Sequence, residues 1–529
     1  MRRRTTFIVP EGTSFNPDDL VVTQQRLSFA GVQAAREERI TLGLKEVPDD
    51  VGQLLLQAQA LHVRWAQEDL YSTISPFLSR LPSGLHVFYT PRHTLSGEDS
   101  LCPALHTYFS PSLKCQSTEK SFIQGTAANS TSATLQYYSV LPSLSNLVAH
   151  IQQTACLESD VTCLHSASLI NIADSLDIDY DGVSGTLTIT VFWSKQPAVL
   201  YDPIGEWTSY DVWNVDIQQT GANERIEVGI LNPSAAKDAH DLQLSGLLTR
   251  VGEDDHPKPT HFHFPSRHHG LPASQAKAQQ YRVAVTQPQG LHPTMEIEFA
   301  GATALTPPEN RPDGSECALH AYLTLPSTVF VDEYAFNKND PLFGESHGIQ
   351  ATRAIMGETD LEAPEYVVDK WGSIILLELR TNQSTEAAAP SPPRVTIPLH
   401  LRYLPPSDNG TLSVDVPWPV VYWACTAEQD INFAVNPFDR VNLGYDALHR
   451  PQTLFYHLDP KPAVGDRVVQ PMKVPVYSLG TLDPGLVEVG TMVAITVGFV
   501  WVAVLLWAGL RTYVKSALVG PEVEKDKRQ

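Results

Sequence analysis

Residues 491–510 read TMVAITVGFVWVAVLLWAGL. This stretch contains no charged residue, no Asn, no Gln and no Pro. A helix of this length rises about 1.5 Å per residue and spans roughly 30 Å, which is the thickness of the hydrocarbon core of a bilayer. The sequence therefore predicts one transmembrane helix, at residues 487–511, between a large N-terminal part and a short C-terminal tail.

Before this helix, apolar residues recur mostly with a period of two. Leu187, Ile189 and Val191 alternate with polar residues in GTLTITVFW, and Leu399 and Leu401 alternate with polar residues in PLHLRYL. Alternation of this kind is typical of half-buried strands, and the 40 prolines of the chain favour strands and turns over long helices. We therefore expect a mainly-β fold of antiparallel β-sandwich domains with a few helices.

The spacing of apolar residues predicts two helices in the first part of the chain, at residues 49–68 and 142–153. Pro-rich and polar residues near position 300 indicate a boundary between two β domains. The expected parts are an N-terminal mainly-β region with helices at 1–290, a β-sandwich domain at 291–486, the transmembrane helix at 487–511 and a tail at 512–529.

The chain carries a net charge of −22 and has an isoelectric point near 5.2. A polyanion would be repelled by such a surface, so nucleic acid is excluded as a partner. The N-terminus, MRRRTTFIVPEG, is basic but lacks the apolar segment of a cleaved signal peptide. How the large part would cross a membrane does not follow from this sequence.

The even number of cysteines favours disulfides in an oxidising compartment, although free thiols in a cytosolic protein remain an alternative. Six cysteines allow fifteen pairings. The close spacing of two pairs suggests the bonds Cys102–Cys115 and Cys156–Cys163, which would leave Cys317 with Cys425, but other pairings stay open. The six cysteines are Cys102, Cys115, Cys156, Cys163, Cys317 and Cys425.

Two orientations in the membrane compete. The lack of a signal peptide favours a tail-anchored protein with its bulk in the cytosol. Cationic residues, which stay on the cytosolic side, follow the helix, whereas no Lys or Arg lies between Lys473 and the helix. The cations after the helix are Arg511, Lys515, Lys525, Lys527 and Arg528. A cleaved glycolipid-anchor signal is disfavoured because a charged tail follows the apolar run.

Three N-x-[ST] sequons also favour a lumenal N-terminal part. They begin at Asn129, Asn382 and Asn409, and N-glycosylation is added on the lumenal side. Together with the cysteines and the cationic tail, they predict a single-pass protein of the endoplasmic reticulum membrane, with its large part in the lumen and its tail in the cytosol.

Two clusters of polar residues could form metal-binding sites. Asp177, Asp179 and Asp181 precede Gly182 in the order of a calcium-binding loop, but the twelfth position is Thr188 rather than Glu, so an Asp–Gly turn between strands is the favoured interpretation. A histidine-rich segment could bind zinc or copper, but no second ligand cluster has matching spacing, so an exposed loop is favoured. Its histidines are His256, His261, His263, His268 and His269.

No nucleophile elbow, phosphate-binding loop, zinc-protease or dinucleotide-binding motif is present in the sequence. We therefore predict neither catalytic residues nor a cofactor. Within the transmembrane helix, Ala494 and Gly498 are small residues four positions apart, a pattern that allows a second helix to approach closely. Ordinary lipid-facing composition is the competing interpretation of this pair.

Much of the chain resembles the PIG-X/Pbn1 family. The similar segments are CALHAYLTLPSTVFVDEYAF at 317–336, TDLEAPEYVVDKWGSIILLEL at 359–379, VTIPLHLRYLPPSDNGTLSVDVPWPVVYWAC at 395–425, AAREERITLGL at 34–44, LPSGLHVFYTPR at 81–92 and LQYYSVLPSLSNLV at 135–148. The first three resemble the whole family, and the last three resemble its fungal members, which carry an extra N-terminal region.

The resemblance implies a non-catalytic, N-glycosylated protein of the endoplasmic reticulum membrane. Such a protein would be the accessory subunit of GPI mannosyltransferase I, which transfers the first mannose of the GPI-anchor precursor from dolichol-phosphate-mannose on the lumenal side. The expected partner is the separate, multi-spanning catalytic subunit. A general role as a lumenal chaperone or quality-control factor is the alternative.

Overall fold

The fold is described from a computed structural model of the chain. The structure describes residues 1–518 except 14, 93–99, 126–133, 197–211, 220, 222–223, 235, 237, 287–289, 302–304, 338–339, 382–392, 428–432, 434–435, 464, 466 and 479–483. About 40% of the residues lie in strands and 22% in helices. The prediction of a mainly-β fold with several antiparallel sheets and one C-terminal apolar helix is therefore confirmed.

The described strands in the first half of the chain are β1 (Arg2–Ile8), β2 (Val21–Val22), β3 (Arg26–Val32), β4 (Ala35–Gly43), β5 (Ala58–Ala66), β6 (Gly84–Pro91), β7 (Ile123–Gln124), β8 (Leu135–Ser139), β9 (Ser175–Asp181), β10 (Thr186–Trp193), β11 (Trp213–Gln218), β12 (Arg225–Ser234), β13 (Asp241–Val251), β14 (Lys258–Pro265), β15 (His268–Gly270), β16 (Tyr281–Thr286) and β17 (Thr294–Phe299). Those in the second half are β18 (Glu316–Thr324), β19 (Val329–Phe330), β20 (Ile349–Met356), β21 (Ile374–Leu379), β22 (Arg394–Pro398), β23 (His400–Leu401), β24 (Thr411–Pro417), β25 (Val420–Thr426), β26 (Thr453–His457) and β27 (Val469–Pro475).

The described helices are α1 (Asp49–Gln57), α2 (Leu101–Tyr108), α3 (Thr118–Ser121), α4 (Ser145–Thr154), α5 (Val161–Ser168), α6 (Ala273–Ala276), α7 (Glu333–Asn337), α8 (Pro341–His347) and α9 (Pro484–Leu518). The helix predicted at 142–153 corresponds to α4. The helix predicted at 49–68 ends at Gln57, and the prediction is wrong beyond that residue. The following segment is β5, because Val63 and Trp65 alternate with His62 and Arg64 and the strand pairs with β6 and β9.

Eleven strands form a large sheet in the order β14-β13-β12-β1-β4-β10-β9-β5-β6-β8-β7. The basic N-terminal segment lies in its interior as β1, which pairs parallel with β12 and antiparallel with β4. Phe7 and Ile8 of this strand are fully buried. Residues 2–8 are therefore an interior strand of the large sheet.

A second sheet has the order β15-β26-β25-β18-β21-β20. Its central strands β18 and β25 are antiparallel, and Cys317 lies directly opposite Cys425. Side chains on both faces of β25 are buried, which is why its sequence VVYWACT is nearly continuously apolar rather than alternating. The smaller sheets are β11-β3-β2, β16-β17-β22, β19-β23 and β24-β27.

The two larger sheets contribute to one apolar core. Trp65 and Tyr137 of the large sheet belong to the same buried cluster as Tyr322 and Tyr422 of the second sheet. Trp371, also in this cluster, donates a hydrogen bond from its indole nitrogen to the carbonyl of Gln136, with a distance of 2.8 Å. The boundary between two β domains at residue 290 stays a prediction.

The chain separates into two compact units. The first comprises Met1–Leu404 and Ser413–Met472, and it contains the large sheet and the second sheet. The second comprises Pro405–Leu412 and Lys473–Gln529, and its described residues include α9. Within the described part of the chain, the segment Gly485–Val514 of α9 is the one helix long and apolar enough to cross a membrane.

Candidate functional site

The aspartates singled out from the sequence lie on β9 and in the turn that follows it. Asp181 is exposed, and its carboxylate accepts hydrogen bonds from the backbone N–H groups of Val183 (3.0 Å) and Ser184 (3.1 Å). Hydrogen bonds from Ser184 and Val183 lower the pKa of Asp181. This aspartate closes the turn between β9 and β10, as the Asp–Gly turn interpretation predicts.

Asp177 and Asp179 face a buried arginine on the adjacent strand β5. The guanidinium of Arg64 donates to both oxygens of Asp179, at 2.8 and 2.5 Å, and its Nε lies 3.5 Å from Asp177. His62, two residues earlier on β5, lies 2.7 Å from Asp179 through its Nδ1. Arg64 is only 1% exposed, whereas the Asp179 side chain is 31% exposed, so a buried guanidinium meets a carboxylate that is partly open to water.

The pKa values of this group follow from burial and the neighbouring charges. Burial by itself would raise the pKa of Asp179, but the charge and hydrogen bonds of Arg64 outweigh that effect and hold the pKa well below its usual range. Conversely, burial would lower the pKa of Arg64, but Asp179 and Asp177 raise it. Asp179 is therefore ionised as the counter-ion of an arginine, and metal binding or proton transfer there would require this ion pair to break.

A loop from the C-terminal half, residues 436–446, completes the same group of charges. Arg440 donates to Asp177 at 2.6 Å, and the Asn442 side-chain nitrogen lies 3.0 Å from Nε2 of His62. In return, Arg64 donates to the carbonyl of Val441 at 2.7 Å. The loop thus joins the second half of the chain to the polar face of the large sheet through partly buried hydrogen bonds, of which those of Arg64 and Arg440 are charge-assisted.

A small, partly open cavity of about 70 Å³ lies beside these ion pairs. Its lining includes Glu37 and Arg39 of β4 in addition to Arg64, Asp177 and Arg440. Burial raises the pKa of Glu37 despite the nearby Arg39. A cavity of this size holds a few water molecules rather than a substrate. We therefore interpret its charged lining as part of the ion pairs that stabilise the fold.

The histidine-rich segment is not the exposed loop that is expected from the sequence. His256 precedes β14, and the other four histidines lie on two strands of different sheets, with His268 buried. On β14, His263 contacts Asp241 at 2.5 Å and His261 contacts Ser245 at 2.9 Å. On β15, His268 stacks on His457 and its Nδ1 lies 3.0 Å from that ring's Nε2, while burial lowers the pKa of His269 to about 4. Among the described residues, no group of three His, Cys, Asp or Glu side chains is arranged to hold a metal ion.

The six cysteines are joined as three disulfides in the structure. Cys102 in α2 is bonded to Cys115. Cys156, which follows α4, is bonded to Cys163 of α5. Cys317 of β18 is bonded to Cys425 of β25, which links residues 108 positions apart across adjacent strands. Each bond constrains the unfolded chain, and the last closes the longest loop.

The three sequons differ in what the structure describes. Asn129 and Asn382 lie outside the described residues. Asn409 is exposed in a turn directly before β24, which is a geometry that a glycosylating enzyme can reach. Glycosylation at all three positions stays a prediction.

Helix α9 carries the predicted contact face. Ala494 and Gly498 are one turn apart, and Gly490 extends the same row by one further turn. From Leu486 to Val514, the large apolar side chains of this helix are exposed, as expected of a segment that lipid or another helix would surround. At its C-terminal end, the guanidinium of Arg511 lies 3.7 Å from the centre of the Trp507 ring, so a cation and an aromatic ring meet where an interface is expected.

Sequence reasoning missed the arginines that neutralise the aspartates. Arg64 was placed in a predicted helix, and Arg440 lies 263 residues from its partner Asp177. The alternation of His62 and Arg64 with apolar residues was the one local signal that a polar strand face was present. It did not reveal which acidic residues that face would meet.

Fold and helix together define a class: a mainly-β protein with one C-terminal segment able to span a membrane. Residues 288–507 match the family model PIG-X / PBN1. The chain is 41% identical over 541 residues to "Protein pbn1" of Emericella nidulans, with 99% of this chain and 98% of the relative covered. The chain belongs to the PIG-X/PBN1 family.

Two further relatives extend this finding. The chain is 42% identical over 544 residues to "Protein pbn1" of Aspergillus oryzae, with 96% of each chain covered, and 38% identical over 507 residues to that of Neurospora crassa, with 95% and 94% covered. Among solved structures, the C-terminal domain of BspA from Streptococcus agalactiae matches with 7% identity and a TM-score of 0.12, covering 80% of this chain and 95% of that chain. A likeness this weak carries no argument about fold.

Proposed function

We propose that this protein is the non-catalytic accessory subunit of GPI mannosyltransferase I. In this role it stabilises the multi-spanning catalytic subunit that adds the first mannose to the GPI-anchor precursor at the endoplasmic reticulum membrane. The observation that carries the proposal is membership of the PIG-X/PBN1 family over nearly the full chain. The mannosyltransferase role itself comes from what the family resemblance implies.

The architecture supports an accessory role rather than a catalytic one. Enzymes that act on lipid-linked sugars build their sites from several membrane spans, and the described part of this chain offers one. The Asp177–x–Asp179 pair, which resembles a metal-binding pattern of glycosyltransferases, is held by Arg64 and Arg440. These carboxylates serve as buried counter-ions of the fold.

Helix α9 supports contact with a membrane partner. Gly490, Ala494 and Gly498 form a row of small residues, which lets a neighbouring backbone approach within the bilayer. Because lipid tails are as apolar as the helix, such close packing rather than the hydrophobic effect drives helix association in membranes. We infer that a transmembrane helix of the catalytic subunit packs on this row.

We also propose that residues 1–486 are lumenal and that the tail is cytosolic. The cations that follow the helix support this orientation. The three disulfides of the structure suit the oxidising lumen. The exposed position of Asn409 is consistent with a glycan on the same side.

We expect a glycan at Asn409, visible as a gel shift on endoglycosidase treatment of the protein from cells. Thr411→Ala should abolish that one glycan because it destroys the sequon, whereas Thr411→Ser should retain it because serine preserves the sequon. Both substitutions affect an exposed residue at the start of β24. Equal mobility of all variants and no shift on treatment would favour the tail-anchored orientation with the bulk in the cytosol.

Depletion of this protein should lower the amount of the catalytic subunit and the transfer of the first mannose in microsomes. The expected reason is that the catalytic subunit loses the helix and the β domain that cover its exposed surfaces. Immunoblotting and a radiolabelled mannose-transfer assay measure the two effects. Normal accumulation and normal transfer after depletion would contradict the proposed function, and co-purification of many unrelated clients would favour the general chaperone instead.

A further inference from the structure

A second, open cleft of about 330 Å³ lies on the large sheet. Its lining includes Arg2 and Arg4 of β1, Arg39 and Thr41 of β4, and Thr188 of β10. These residues come from three adjacent strands, in which Arg2 lies opposite Thr41, Arg4 opposite Arg39, and Thr41 opposite Thr188. Directly opposed residues place their side chains on the same face, so the three cations and two hydroxyls share one surface.

The arginines of this surface outnumber its carboxylates. Glu227 on β12 is shared by Arg4 of the cleft at 3.0 Å and by two arginines beside the cleft, Arg225 at 2.8 Å and Arg250 at 3.8 Å. Burial would raise the pKa of Glu227, but hydrogen bonds from Arg4 and Arg225 lower it, so this carboxylate is ionised and already fully used. Glu37 lies 3.5 Å from Arg39, and Glu253 lies 3.3 Å from Arg250. Five arginines, Arg2, Arg4, Arg39, Arg225 and Arg250, thus face three carboxylates, Glu37, Glu227 and Glu253, so an excess of positive charge remains.

Of the arginines of the cleft, Arg2 is a cation without a counter-ion among the residues that the structure describes. Its side chain is exposed, and no hydrogen bond or ion pair joins it to any other described residue. The hydroxyls of Thr41 and Thr188 likewise have no partner within the described part of the chain. In a protein with a net charge of −22, a cleft lined by cations concentrates the local field and attracts anions.

The lining of the cleft also includes aromatic rings. Phe262 and Phe264 of β14 stack on each other at 5.9 Å, and both pack edge-on against Phe438 of the 436–446 loop. A ligand in the cleft would thus meet guanidinium groups and hydroxyls as well as flat apolar rings. A free inorganic ion would use only the first of these surfaces.

We propose that this cleft binds the phosphate group of a phosphorylated sugar or polyol, with the ring or carbon chain of the ligand against the phenylalanines. Arginine side chains match phosphate oxygens with paired N–H donors, and threonine hydroxyls donate to the same oxygens. The volume suits a phosphorylated monosaccharide or the headgroup of a phospholipid. The proposal concerns residues of this chain alone and does not depend on the proposed partner.

The test is calorimetric titration of the full-length protein in detergent with three probes. Inorganic phosphate tests the cation surface alone, glycerol 3-phosphate adds a soluble polyol, and dioctanoyl phosphatidylinositol adds a lipid headgroup. We expect saturable binding that is tighter for the esters than for inorganic phosphate. Stronger binding of the lipid identifies a lipid headgroup as the source, and stronger binding of glycerol 3-phosphate identifies a free metabolite.

Arg2→Gln should weaken binding of the preferred ester roughly tenfold, because one charge-assisted hydrogen bond to phosphate is lost. Arg282→Gln is the matched control, since Arg282 on β16 is also exposed and is not joined by an ion pair to any described residue. Thr188→Val offers a second variant that leaves every described ion pair intact. Absence of saturable binding for all three probes, or an equal loss in Arg282→Gln, would overturn the proposal.

Discussion

Arg64→Met should lower the free energy of unfolding by roughly 3–5 kcal/mol, the usual cost of removing one partner from a buried ion pair. Methionine replaces the apolar stem of the arginine with an unbranched apolar chain but lacks the donors that hold Asp179 at 2.5 and 2.8 Å. Asp179 would be left with His62, and Asp177 with Arg440. The loss of the contact to the Val441 carbonyl would also release the 436–446 loop.

Urea unfolding of the purified full-length protein, followed by tryptophan fluorescence, measures this change. Arg26→Met is the matched control, because Arg26 forms an ion pair with Asp216 at 2.7 Å in which both side chains are about half exposed. An exposed pair contributes at most about 1 kcal/mol. A cost for Arg64→Met that does not exceed the cost for Arg26→Met would show that the buried charges do not stabilise the fold.

A double variant separates charge burial from packing. Asp179→Asn combined with Arg64→Met removes the carboxylate that the single substitution leaves unpaired. We expect it to recover part of the lost free energy, since residues in direct contact are energetically coupled. If the double variant is as unstable as the sum of the two single variants, the cost of Arg64→Met arises from packing instead.

The pair of substitutions Ala494→Leu and Gly498→Leu should lower recovery of the catalytic subunit with this protein about tenfold or more. Leucine at these positions would fill the space into which a neighbouring helix is proposed to pack. Overpacking of a close contact costs about 1–3 kcal/mol, and each 1.4 kcal/mol corresponds to tenfold in affinity. The measurement is co-purification from detergent extracts, with mannose transfer assayed in the same microsomes.

Ala503→Leu is the control on the same helix. Residue 503 lies nine positions after Ala494, which amounts to two and a half turns and places it on the opposite side. The substitution adds the same volume and the same hydrophobicity as Ala494→Leu alone, so it is compared with that single variant as well as with the pair. Normal co-purification of the Ala494→Leu/Gly498→Leu variant, or an equal loss in Ala503→Leu, would remove this face as the contact.

Local patterns predicted much of the architecture. Alternation in GTLTITVFW predicted a strand that the structure has as β10, and the helix predicted at 142–153 is present as α4. The exception is residues 58–66, where Leu61 and Trp65 fit a helical spacing as well as a strand. In this segment the pairing with β6 and β9 decides the outcome, because tertiary contacts override a weak local preference.

The membrane segment is what the sequence by itself determined most completely. A run of apolar residues long enough to cross a bilayer depends only on neighbours along the chain, and family similarity is likewise carried by the sequence. The roles of Asp177 and Asp179 were decided by tertiary structure alone. Their partners Arg64 and Arg440 lie 115 residues before Asp179 and 263 residues after Asp177, and a buried ion pair leaves no local pattern because only the fold brings its charges together.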